Sequence, residues 1–154
     1  MNRSKWLREC GVAFGLLVVL AAIAVPVYQR SRKLAKQSGC YHVLRSMTAA
    51  LDMYAREWDG EYPLSDDWPD AIRPYMQIRW PPFTCPAVGG DDEPVSYAMA
   101  AEPGGTLVFW DVHPLTGEPA FRHDDGICVA HADRHVTWMT AEEFGAAIGG
   151  SADE

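Results

Sequence analysis

The sequence predicts an α+β fold: a long N-terminal helix laid across a small antiparallel β-sheet with loop-rich connections. Three observations carry this. An uncharged apolar run near the start passes into a stretch with helical periodicity, so one helix is expected to serve both. Eight of the eleven prolines then fall between Tyr62 and Pro103, which interrupts regular structure. Beyond them, short β-branched and aromatic segments alternate with turn residues, the pattern of a small sheet.

Taken in chain order, Gly11 to Tyr28 reads GVAFGLLVVLAAIAVPVY without a charged residue. A bilayer crossing needs roughly 17–25 largely apolar residues, and basic side chains flank the run on both sides. A buried core helix is the soluble alternative, but a domain of this size seldom buries a helix that is apolar on every face. Two membrane readings follow. One is a secretory signal cleaved at the small-x-small site Ala22-Ile23-Ala24. The other is a retained anchor whose helix continues into the next domain, and the continuing periodicity favours it. Leu44, Met47, Leu51, Tyr54 and Trp58 step by three and four along one face. Pro26 is expected to kink this helix, Gly39 to mark a soft point, and Asp59-Gly60 to stop it.

A helical turn is expected over Asp70–Met76, ended by Pro81-Pro82. Strands are expected at Val95–Ala100 and Thr106–Asp111, joined by the turn Glu102-Pro103-Gly104-Gly105. A second pair, Ile127–Ala132 and His135–Met139, is expected to close through a two-residue loop at Asp133-Arg134. That register sets His131 opposite Val136 and Val129 opposite Trp138. Thr140 caps a short helix over 141–148 with Glu142 and Glu143 in its first turn. The expected organisation is therefore a tail, 1–10; a membrane segment, 11–28; a helix extension, 29–60; an α+β head, 61–149; and a flexible end, 150–154.

The net charge of −8 conceals two different segments. Residues 1–36 hold seven basic side chains and one acid; residues 37–154 hold six against twenty, a net of −14. So acidic a head repels phosphate backbones, and nucleic acid is excluded as a partner. The Lys and Arg count is three before the apolar run and four after it, so charge does not orient the chain in a membrane.

This arrangement resembles the type IV pilin-like proteins, and within them the type II secretion pseudopilin-like group with a prepilin-type N-terminus. The residues that carry the resemblance are Leu16-Leu17-Val18-Val19, Pro26, the basic residues from Arg30 to Lys36, Cys40, Tyr54-Ala55, Asp59-Gly60 and Pro63. To these are added Phe83-Thr84-Cys85-Pro86, Ser96-Tyr97, and His123 followed after nine residues by Asp133, similar to a His-x9-Asp-Gly signature. The resemblance implies a membrane-anchored structural subunit, minor or accessory, of a secretion or pilus-like assembly. It implies membrane lipid and other pilin-like subunits as partners, contacted through the helix. It also implies a head outside the cytoplasm and no catalytic activity. Three positions depart from the family. Gly11 is followed by Val12 where the family has Phe, Gly15 stands at the family's helix glutamate, and Arg134 replaces the turn glycine. A carboxylate in lipid is expensive without a partner, so Gly15 removes both that expense and a docking contact between subunits. Any processing falls around Cys10, Gly11 and Val12. The resemblance further implies a disulfide between Cys40 and Cys85, which would stabilise by about 3–4 kcal/mol through loop closure and suits an exported domain.

The C-terminal half gathers Asp111, His113, His123, Asp124, Asp125, His131, Asp133 and His135. A structural reading is preferred: His131 packing in a strand, Asp124-Asp125-Gly126 forming a turn, and His123 bonding Asp133 across the hairpin base. The alternatives are a membrane-tethered metal- or solute-binding module, with calcium on Asp111, Asp124 and Asp125, and a secreted hydrolase released by signal cleavage, with a histidine base beside an acid. The residues open to a metal are thus Asp111, His123, Asp124, Asp125 and Asp133, with no cofactor assigned. The absence of a Cys-x2-Cys pair argues against zinc, and Cys128 reads as a small buried hydrophobe.

Overall fold

A computed structural model describes residues 3–64, 66–76, 83–88, 95–100 and 106–149, with side chains from Gly11 onward except Val12. The chain divides into two compact units, Met1–Ala35 and Lys36–Glu154, and the boundary falls within the first helix. That helix, α1, spans Arg3–Glu57 and runs through Pro26 without interruption. From Ala13 on it is long and apolar enough to cross a membrane. Within the first unit Phe14, Leu16, Leu17, Leu20, Ile23, Val27 and Tyr28 are exposed. Every residue from Ala13 to Arg30 is exposed, so the exposure covers all sides of the helix.

In the second unit α1 changes character. Cys40, Leu44, Met47 and Leu51 are buried, joined by Val43 and Ala50. The expected stripe is thus correct in its first three members, with Val43 and Ala50 buried beside them. Its last two members leave the core: Tyr54 is half-buried and Trp58 is exposed, the two rings stacking at 5.5 Å. The helix ends where Asp59 and Gly60 take positive φ, and the Gly60 N–H donates to the Ala55 carbonyl at 2.7 Å. Gly39 has a different role from the expected soft point. A Cβ there would lie 2.9 Å from Pro86 Cγ, so the missing side chain admits the Cys85-Pro86 loop against the helix.

Helix α2, Trp68–Ile72, and a 3₁₀ turn, Arg73–Tyr75, occupy the expected helical turn. Strands β1, Tyr97–Met99; β2, Leu107–Asp111; β3, Gly126–His131; and β4, Val136–Thr140, form one antiparallel sheet in sequence order. Helix α3, Ala141–Gly149, follows directly. The architecture is therefore α+β, a long N-terminal helix with a four-stranded antiparallel sheet. The expected Glu102–Gly105 turn, Pro81-Pro82 and the 150–154 end lie outside the described residues.

Every residue of β3 is buried because the sheet is covered on both faces. Cys128 and Ala130 join the core built with α1, Phe109 and Trp68, while Ile127 and Val129 pack with Phe144 of α3 and with Trp110. Alternation sends successive side chains to opposite faces, so burial on both sides makes the whole strand apolar or small.

The β3–β4 register differs from expectation by one residue. Val129 lies opposite Thr137, Cys128 opposite Trp138 and Ala130 opposite Val136. The His131 N–H donates to the His135 carbonyl and the Arg134 N–H to the His131 carbonyl, which leaves a three-residue loop. Arg134 sits at φ +70, the left-handed position that ends such a loop and that glycine normally fills. Since a one-residue slip exchanges faces, this extra loop residue decides which side chains of β4 meet α3.

Candidate functional site

Four chemically active side chains from four separate elements converge inside the second unit. Cys40 comes from α1, Cys85 from the loop before β1, Asp111 from the end of β2, and His123 from the approach to β3. One Sγ, carboxylate oxygen or ring nitrogen of each lies within 4.8 Å of all the others, and all four residues are buried. Cys85 Sγ is 3.3 Å from His123 Nε2, which stands 3.6 Å from Asp111 Oδ2.

The backbone around each group is held. The Cys85 N–H donates to Ser96 Oγ at 2.5 Å, and the Ser96 N–H donates to the Phe83 carbonyl. His123 and Gly126 exchange both backbone hydrogen bonds across Asp124 and Asp125, which both take positive φ. This is a type I′ turn, and it is tight because Asp tolerates the left-handed region better than most residues. The Trp138 indole lies over Gly126, where a Cβ would come within 2.1 Å of the ring, and its Nε1–H donates to the His123 carbonyl at 2.5 Å. Arg122 donates to Asp111 Oδ1 at 2.5 Å and to the Val112 carbonyl at 2.9 Å. Asp111 Oδ2, fully buried, accepts no hydrogen bond.

The electrostatics of the site favour positive charge. Burial alone would push the His123 imidazole down, but Asp111, Cys40 and Cys85 outweigh it and hold the group at about 11. The Cys85 thiol is pushed up by its neighbour Cys40 and by burial. Cys40 is raised chiefly by Cys128, which lies against it, and its sulfur accepts from the Tyr97 hydroxyl at 3.4 Å. Two thiols, a carboxylate and an imidazole thus share one buried volume with the Arg122 guanidinium beside them.

The expected site residues separate into two groups. Asp111 and His123 are brought together, and the two cysteines of the expected disulfide, Cys40 and Cys85, join them, each with a free thiol. Asp124 and Asp125 are exposed at the turn tip while Asp111 is in the core, so the three do not form the calcium site considered above. His123 does not bond Asp133: they lie at opposite ends of β3, and the exposed Asp133 carboxylate pairs with His135 Nδ1. His131 is buried as expected, but it hydrogen-bonds Thr137 at 2.7 Å and stacks on His135 at 3.8 Å instead of facing Val136. Gly11 lies in α1, and the side chains of Cys10 and Val12 are outside the described residues. No family model, curated protein or solved structure matches this chain. The cysteine-based set escaped the sequence because its donors are far apart in the chain. A search limited to closely spaced cysteine pairs cannot find it.

Proposed function

We propose that the chain is a membrane-anchored, non-enzymatic pilin-like subunit, minor or accessory, of a type II secretion or type IV pilus-like assembly. Its place is the cytoplasmic membrane of a bacterium, crossed once, with the C-terminal domain outside the cytoplasm. The observation that supports this best is the division of α1: apolar and exposed on all sides from Phe14 to Tyr28, then buried along one stripe from Cys40. Lipid satisfies the first part, whose backbone groups already pair within the helix, and the sheet satisfies the second. Apolar helices of neighbouring subunits pack in the bilayer while the acidic heads repel non-specific association.

The reading is tested by extracting native membranes with mild detergent and identifying what co-purifies, together with the mass of the mature N-terminus. Retention in washed membranes with pilin-like partners is expected. A soluble polypeptide beginning after Ala24, or a monomer without partners, refutes it.

A further inference from the structure

We infer that Cys40, Cys85, Asp111 and His123 form a closed, four-coordinate site for zinc, which ties α1 to the loop before β1 and to the sheet. Donor chemistry, spacing and one orphaned atom all point to the ion. Zinc binds thiolate sulfur at about 2.3 Å and imidazole nitrogen or carboxylate oxygen at about 2.0–2.2 Å, so tetrahedral partners stand roughly 3.3–3.8 Å apart. The observed separations of 3.3 Å for Cys85 to His123 and 3.6 Å for His123 to Asp111 fall in that range. A small inward shift of any wider pair within the 4.8 Å envelope completes the polyhedron.

Asp111 Oδ2 supplies the independent observation. A fully buried carboxylate oxygen without a hydrogen bond is destabilising by about 1–3 kcal/mol or more, and this one stands 3.6 Å from His123 Nε2 within the cluster. Its companion oxygen is taken by Arg122, the arrangement expected of a ligand oriented by an outer partner. The Ser96 hydroxyl and the Trp138 indole fix the Cys85 and His123 backbones in the same manner. Charge also balances. Binding releases one proton from each thiol and one from the His123 imidazolium to solvent, and two thiolates and a carboxylate then offset a divalent ion and the Arg122 guanidinium.

The donor set discriminates among metals. Sulfur and nitrogen donors exclude calcium and magnesium, which take oxygen. Four protein donors in a water-poor core leave no position for substrate, so the ion's role is structural. It would do for this domain what a disulfide does elsewhere, while leaving both thiols reduced.

The test uses the full-length chain, produced with zinc in the medium and purified in mild detergent without chelator. Elemental analysis is expected to give about one zinc per chain. Chelation should lower the unfolding midpoint, with recovery on adding zinc but not calcium. Cobalt substitution of the unaltered protein should show a thiolate-to-metal charge-transfer band and the intense visible absorption of a tetrahedral centre. Cys85→Ser and His123→Ala should lose the metal, whereas Cys128→Ser should keep it. A metal-free protein whose intact mass shows a Cys40–Cys85 disulfide overturns the inference. A variant series that requires Cys128 and not Asp111 overturns the ligand set.

Discussion

Leu44→Ala and Leu20→Ala place one substitution at two positions of a single helix. Leu44 is fully buried in the core that contains Met47, Phe109 and Trp68, whereas Leu20 is 60% exposed. Truncating a buried leucine removes its transfer free energy and leaves a cavity, together about 2–5 kcal/mol. We take about 3 kcal/mol for Leu44, whose neighbours come from a helix and a sheet that cannot both collapse inward. The second unit, Lys36–Glu154, is roughly 120 residues and has an unfolding entropy of about 0.25 kcal/mol/K near its midpoint. The expected fall in Tm is therefore about 12 °C. Leu20→Ala leaves the second unit's midpoint unchanged within a degree or two, because its side chain is already exposed and its truncation opens no cavity. The assay is thermal unfolding of the detergent-solubilised full chain followed by near-ultraviolet circular dichroism, which reports tryptophan packing in the second unit. Equal shifts for the two variants, or no shift for Leu44→Ala, would refute the division of α1 into exposed and core-facing parts.

Arg134→Gly should be about 1 kcal/mol more stable than Arg134→Ala in denaturant titration, since both lose the ion pair to Asp52 and only alanine keeps a Cβ at φ +70. An alanine variant equal to or better than glycine refutes the strained-loop account. The His131 imidazole is held below its usual value by burial and by neighbouring His135, against an opposing pull from Asp133. Stability from this group is therefore full above about pH 6.5 and declines as pH falls below it, levelling once His131 itself takes a proton. His131→Asn should flatten the pH–stability curve in that window, and an unchanged slope counts against the assignment. Glu143 accepts hydrogen bonds from the Thr140 N–H and hydroxyl, a capping box that holds its carboxyl below the ordinary range. That contribution is present above about pH 4.5 and is lost as pH falls through the lowered value. Amide exchange in the first turn of α3 should accelerate in Glu143→Gln at neutral pH and much less at low pH; equal acceleration at both refutes the pairing.

Elements with strong local signals were legible from the residues alone. Asp59-Gly60 ends α1 because both residues tolerate positive φ, and the four strands lie close to the β-branched and aromatic segments. Thr140 and Glu143 carry a cap whose spacing is itself the mechanism. The β3–β4 register was not legible: Asp133-Arg134 has the look of a two-residue connection, and only tertiary packing holds Arg134 in a conformation that its Cβ disfavours. The site divides in the same way. His123 stands out by its turn and Asp111 by its place at a strand end, but their meeting with Cys40 and Cys85 depends on how α1 crosses the sheet. Spacing along the chain carries no record of that.

The meander order of the sheet has a consequence for when this domain closes. Each strand pairs with its sequence neighbour, so β1 to β4 zip locally and at low entropic expense. The stripe on α1 is synthesised first and shielded last, since Cys128 and Ala130 of β3 are part of what covers it. During synthesis Leu44, Met47 and Leu51 therefore wait, wet and adhesive, for partners more than seventy residues downstream. A nascent chain stalled before β3 would present a sticky flank to anything nearby, so the final third of the polypeptide acts as the latch on its beginning.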